Sequence, residues 1–350
     1  VIGILFLYIL YRLLLLVSDF LFHDQVKNRL WDKISALLLF PVLIIGIRGG
    51  LQLEPINQSS AFFSDRSICN HAALNTAWNL LNKYTLKKKD HSIYGTSPEP
   101  QLLNAIQSFY KKTPTDSLFK KVKKPNIIFI ILEGFTADVV SAFGGLKGYT
   151  PHLDSMIGQS IIWTNFYANG DRTYKGLPAI LNGYPPRPVG SVTQDADQTS
   201  ALPSIAKVLK SEGYDISFYY GGESEFANIK SYLINTGFDK IIDINDFPMS
   251  LHGKKWGVAD HYVFEKLAHD LNASAKPFFN TILTLSSHEP YDIPMDPFVQ
   301  GDSPKQRFLN TVRYTDYSIG RFFNAIKEYS WFDSTLFVIT ADHGNHLPVN

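Results

Sequence analysis

The chain has 350 residues, 33 Lys and Arg against 32 Asp and Glu, a formal net charge of +1, and 14% aromatic side chains. That length supports two or three structural units with a real core, and the even charge balance carries no footprint for nucleic acid. Only 19% of the residues are charged, which with the aromatic content excludes general disorder and points to a membrane component. The single cysteine, Cys69, excludes an intrachain disulfide and a Cys-rich metal site.

The chain begins at Val1 and stops a few residues after a site-like motif, so both ends read as cut. Residues 1–17 (VIGILFLYILYRLLLLV) hold one charge, Arg12, and reach the lower length limit of a membrane-spanning helix. A secretory signal is the rival, but the charge comes late and no small-residue cleavage site follows. A second apolar run, 34–47, contains Pro41 and is flanked by Trp31, Lys33 and Arg48 as interface anchors. By length alone it also suits a buried core helix; the flanks favour a second span. Lys27, Arg29 and Lys33 between the runs place that loop in the cytoplasm and everything after Gly50 outside. Residues 51–124 read as a polar linker. Its basic clusters, Lys87 to Lys89 and then Lys111, Lys112, Lys120, Lys121, Lys123 and Lys124, read as a solvated surface or as contacts with anionic lipid headgroups.

From residue 125 the pattern changes. Apolar, β-branched runs at 126–132, 161–167, 216–220, 278–285 and 335–340 predict strands buried on both faces. Between them, 173–181, 204–213, 223–237, 258–271 and 304–329 predict helices. The alternation predicts an α/β domain over 125–350, a mostly parallel sheet flanked by helices on both faces.

Ligands of such sheets bind beyond the carboxyl ends of the strands, so the residues that follow each run carry the interest. Glu133 follows the first strand, Ser286-Ser287-His288 the fourth, and Asp342-His343-Gly344 the last. Each has an ordinary reading as a turn or cap. Together, two carboxylates and an imidazole form a mixed oxygen and nitrogen set that suits Mn²⁺ or Zn²⁺ and is compatible with Mg²⁺. Thr173, after Gly170-Asp171-Arg172, is either a helix cap or a nucleophile activated by that cation. Arg172 and His288 are candidates to hold a phosphate oxygen, with His346 a weaker one. Asp260-His261 reads as a helix cap.

These segments resemble the sulfatase-like branch of the alkaline phosphatase superfamily, and within it the membrane-anchored lipoteichoic acid synthase and phosphoglycerol transferase group. The matching stretches are NIIFIILEGF (126–135), TPHLDSM (150–156), NGDRTYKGLPAIL (169–181), FYYGGESEF (218–226), TLSSHEP (284–290) and ITADHGNH (339–346). The resemblance implies one catalytic divalent metal, Mn²⁺ first and Zn²⁺ or Mg²⁺ next, held by Glu133, Thr173, Asp342 and His343. It also implies Thr173 as covalent nucleophile and a catalytic domain outside the cytoplasmic membrane. The chain lacks the C/S-x-P-x-R motif of true sulfatases, having Thr173-Tyr174-Lys175-Gly176-Leu177 instead. Where the lipoteichoic acid synthases place a Trp and an Arg for glycerol phosphate, Ala227 and Ile229 stand here. The expected activity is transfer of a phospholipid headgroup to a glycan or glycerol-phosphate polymer. The alternatives are a phosphoethanolamine transferase, an ester hydrolase of the same fold, or an inactive lipid-binding or sensor protein.

Overall fold

The computed structural model describes residues 8, 11–12, 15–16, 30–52, 55–76, 78–80, 84, 100, 103–104, 107–108, 123–253, 255–272 and 277–347. The chain divides into two units, 1–57 and 58–350. In the first, α1 spans Leu30–Arg48 and passes through Pro41 without ending. It closes where Gly49 and Gly50 turn to positive φ and the Arg48 guanidinium donates to the carbonyls of Gly50 (3.1 Å) and Gln52 (2.6 Å). The predicted span 34–47 lies inside α1. Its fourteen residues reach about 21 Å at 1.5 Å each, against about 30 Å of hydrocarbon. Among the described residues no helix is long and apolar enough to cross a membrane. Most of 1–17, and the basic clusters up to Lys121, lie outside the described residues.

Among the described residues the second unit holds five strands: β1 Asn126–Leu132, β2 Asp215–Tyr220, β3 Lys240–Ile242, β4 Phe278–Leu283 and β5 Thr335–Ala341. All pair in parallel, in the order β3-β2-β4-β1-β5. The helices that matter for the site are α2 Pro151–Ile157, α3 Thr173–Asn182, α4 Ile205–Ser211, α5 Ile229–Asn235, α6 Asp260–Leu271 and α7 Pro304–Ile326.

The unbroken apolar run of β1 follows from its place between β4 and β5, buried on both sides. Ile128, Ile130 and Leu132 enter one core with Val263, Phe264 and Leu267 of α6 and Phe308, Val312, Ile319 and Phe322 of α7. Ile131, on the other face, joins Leu177 and Leu181 of α3, Ala206 of α4, and Tyr232 and Leu233 of α5. The α/β architecture with helices on both faces is as the alternation predicts.

Two expectations are corrected and one strand is added. Residues 161–167 form no strand: they run as an irregular loop with Trp163 66%, Phe166 69% and Tyr167 81% exposed. Their composition suits a strand, but strand preference is realised only against a ladder partner, and among the described residues they have none. The helix expected over 223–237 shrinks to α5, because Ala227 (φ 50°) and Asn228 (φ 61°) break the path before it. β3 was not expected: three residues carry too little pattern to register in a sequence.

Candidate active site

The strand order brings three carboxyl ends side by side. Glu133 leaves β1, Asp342 and His343 leave β5, and the segment 284–288 leaves β4. All three carboxylate and imidazole groups are buried, with Glu133 5%, Asp342 1% and His343 6% exposed. His343 Nε2 lies 3.2 Å from Glu133 Oε1 and 3.6 Å from Asp342 Oδ2. Asp342 Oδ1 accepts from the backbone N–H of Gly134 (2.9 Å) and of His343 (2.8 Å). Gly134 makes the first of these bonds from φ 56°, the left-handed region that favours glycine.

Thr173 completes the set. It is the first residue of α3, and the N-cap is Arg172, with no side-chain cap bond. The cap reading of Thr173 is thereby corrected: its Oγ1 donates to Glu133 Oε2 at 2.7 Å. The approach of α3 to β5 depends on Gly176, where a Cβ would lie 2.4 Å from the Asp342 carbonyl oxygen.

These residues fit a divalent cation on two observations. One ligand atom each from Glu133, Asp342 and His343 lies within 4.8 Å of the others. Asp342 Oδ2 is buried with no hydrogen-bond partner, a costly state for a carboxylate oxygen unless a cation faces it. His343 Nδ1 is 2.9 Å from the Gly344 carbonyl, so Nδ1 carries the proton and Nε2 is the atom free to ligate.

Without a cation the three groups share protons instead. Burial would lower the His343 pKa, but the hydrogen bond to Glu133 and the charges of Asp342 and Glu133 push it up to about 9. Burial raises Glu133, and its hydrogen bond and ion pair with His343 outweigh this and hold it below the usual carboxylate range. Asp342 goes the other way, raised well above that range by burial and by the Glu133 charge. The His343 contribution to stability is full below its unfolded value of 6.5 and is lost as pH rises through about 9. The metal-free protein is therefore expected to melt progressively lower from about pH 7 to about pH 10 in chelator. Thermal scans across that range check this, and a flat or rising profile contradicts it.

Arg172 and His346 meet at the rim, with Nη1 donating to Nε2 at 2.9 Å. The His346 ring stacks on His343 at 6.0 Å between centroids. His288 reaches the centre through its neighbour: Ser287 Oγ donates to the Glu133 carbonyl at 2.5 Å. Its ring packs on Trp256 at 4.5 Å, and the Trp256 indole donates to the Glu289 carbonyl. Thr284 and Trp256 escaped the sequence reading. Thr284 Oγ1 accepts from the Glu133 N–H at 2.9 Å, and inside the predicted strand 278–285 nothing set it apart.

A model of the sulfatase family matches residues 125–349. The chain belongs to that family. This sulfatase-family chain is 26% identical over 250 residues to the lipoteichoic acid synthase-like protein YvgJ of Bacillus subtilis, covering 69% of this chain and 40% of that protein. It is 28% identical over 243 residues to the lipoteichoic acid synthase of Staphylococcus saprophyticus, covering 66% of this chain and 37% of that one. The sulfatase-family chain thus spans about 40% of the length of such curated relatives. A crystal structure of an alkaline phosphatase superfamily protein from Vibrio parahaemolyticus superposes with a TM-score of 0.65 at 31% identity, over 73% of this chain and 65% of that chain. The lipoteichoic acid synthase LtaP from Listeria monocytogenes shares the fold, with a TM-score of 0.62 at 21% identity over 70% of this chain and 64% of that one.

Proposed function

We propose that this chain is the catalytic part of a membrane-anchored, divalent-metal-dependent transferase. It moves the headgroup of a phospholipid such as phosphatidylglycerol to a hydroxyl of a glycan or glycerol-phosphate polymer. The observation that carries the reading is the 2.7 Å bond from Thr173 Oγ1 to Glu133 Oε2, inside the same cluster as Asp342 and His343. The apolar run 1–17 supports an anchor in the cytoplasmic membrane, with the catalytic domain on its outer side. The kinship with lipoteichoic acid synthases supports the choice of headgroup.

The residues divide the work as follows. Glu133 orients Thr173 and takes up its proton in the hydrogen bond between them. Thr173 Oγ attacks phosphorus; the new Oγ–P bond forms as the P–O bond to diacylglycerol breaks, and diacylglycerol leaves with a proton from the imidazoles at the rim. An acceptor hydroxyl then gives its proton to the rim imidazole left neutral by the first displacement and attacks the same phosphorus; the Oγ–P bond breaks, and Thr173 regains its hydrogen from Glu133. Arg172 and the first amides of α3, which lack intrahelical partners, bind the non-bridging phosphoryl oxygens. His288 adds a donor from the β4 side. A divalent cation held by Glu133, Thr173, Asp342 and His343, with Mn²⁺ first among Mn²⁺, Zn²⁺ and Mg²⁺, supplies Lewis-acid polarisation and lowers the pKa of the hydroxyl. The gathering of all four ligands speaks against an inactive sensor, since a domain that binds no metal has no reason to bury two carboxylates face to face.

The test is incubation with phosphatidylglycerol labelled in its headgroup glycerol. The expected result is label on an added glycerol-phosphate or glycan acceptor and release of diacylglycerol. Label appearing only as free glycerol phosphate would replace the transferase with a phosphodiesterase. Unchanged lipid, alongside turnover of phosphatidylethanolamine, would replace the headgroup.

A further inference from the structure

Asp260 opens α6, yet its carboxylate does not serve that helix. The N-cap is Ala259, without a side-chain cap bond, so the cap reading of Asp260 is corrected. Oδ1 accepts instead from the backbone N–H groups of Leu285 (2.7 Å) and Ser286 (3.2 Å), and Oδ2 accepts from Thr315 Oγ1 on α7 (2.9 Å). The Asp260 N–H donates to Ser286 Oγ at 3.3 Å. The residue is 2% exposed and has no cation among these partners. Burial raises its pKa, and the hydrogen bonds from Leu285, Thr315 and Ser286 oppose that rise.

The segment so held grips Glu133 at both ends of the residue. Thr284 Oγ1 accepts its N–H and Ser287 Oγ donates to its carbonyl, while the Thr284 N–H donates to the Ile131 carbonyl at 3.0 Å. One residue further on stands His288. A single buried carboxylate therefore ties α6 and α7 to the turn that fixes a proposed metal ligand and a proposed phosphate ligand together.

We infer that Asp260 is a positioning residue for the metal centre: by fixing the 284–288 turn it sets the backbone of Glu133, and with it the aim of that carboxylate, without touching cation or substrate. The inference rests on the metal reading proposed above. Asparagine at 260 keeps an oxygen for the two amides, and its Nδ2 can donate to a Thr315 hydroxyl turned to accept. Alanine leaves two buried amides and a hydroxyl unpaired, so the turn relaxes.

The experiment is calorimetric titration of Mn²⁺ into the protein, with a melting curve for each variant. Asp260→Ala is expected to weaken Mn²⁺ binding by about 10- to 100-fold, the usual effect of losing an outer-shell partner, while Asp260→Asn stays within about threefold of the parent. Asp316→Ala is the matched control. Asp316 is equally buried on α7 and accepts from the N–H groups of His152 and Leu153 in α2, away from the turn. It should melt lower and bind Mn²⁺ as the parent does. Thr284→Val, which removes one half of the grip on Glu133, should weaken binding by roughly tenfold even where Asp260→Ala does not fold. Folded Asp260→Ala or Thr284→Val with parental affinity overturns the inference, as does an Asp260→Asn protein as weak as the alanine variant. So does an Asp316→Ala protein that loses affinity equally. Failure of the underlying reading looks different: the parent, or Glu133→Ala, would then bind Mn²⁺ no differently from the other.

Discussion

A protein with alanine at position 173 is expected to form no covalent adduct and to lose turnover by a factor on the order of 10⁴ to 10⁶. The loss would be chemical and not structural. Thr173 is the first helical residue of α3 and makes no cap bond, so alanine, the best helix former, leaves the helix intact. What disappears is the hydroxyl that donates to Glu133 Oε2 and would attack phosphorus. Thr173→Ser keeps the oxygen and should keep the adduct, with a smaller loss from the freer rotamer. Rates on a soluble phosphodiester, together with intact mass after brief exposure to lipid, check both variants. Turnover by Thr173→Ala within tenfold of the parent would mean that water, activated elsewhere, is the nucleophile.

The second large effect concerns stability and metal affinity moving in opposite directions. Asp342→Asn is expected to raise the melting temperature of the metal-free protein and to weaken Mn²⁺ binding by two orders of magnitude or more, on the order of what loss of a ligand costs. Burial and the Glu133 charge hold the Asp342 carboxyl above its usual range, so its ionisation costs folding free energy. That cost is absent below its unfolded value of 3.8 and grows as pH rises toward the folded value, so the gain from asparagine is larger at pH 8 than at pH 4. Asparagine keeps an oxygen for the Gly134 and His343 amides and removes the charge that faces Glu133. Paired melting curves in chelator and in Mn²⁺ test the claim. A variant that melts lower in chelator, or binds Mn²⁺ as tightly as the parent, contradicts it.

The parallel sheet was legible because its inner strands are buried on both sides: NIIFIIL has the unbroken apolar, β-branched composition of a central strand, which directs attention to the residue after it. The same rule found Asp342 and His343, and the metal-ligand candidate Glu133 and the nucleophile candidate Thr173 are hydrogen-bonded across forty positions. Legibility failed where partners decide the outcome. The 161–167 run has strand composition without a ladder, and β3 has a ladder with only three residues of pattern. Asp260 looked like a cap because sequence shows which residue opens a helix, but not that Leu285 and Ser286 lie against its carboxylate. The rim residues fall between these cases. Arg172 and His346 stand 174 positions apart in the sequence, and only the fold shows that they bond to each other.

The central claim, that Glu133, Thr173, Asp342 and His343 share one cation, is tested most directly by anomalous diffraction at the manganese edge from crystals of the protein grown with Mn²⁺. The account predicts one strong peak at about 2.0 to 2.4 Å from a carboxylate oxygen of Glu133, Thr173 Oγ1, a carboxylate oxygen of Asp342 and His343 Nε2. A peak bound by other residues, or a fully occupied Mn²⁺ that leaves His343 Nε2 paired with Glu133 alone, would contradict it.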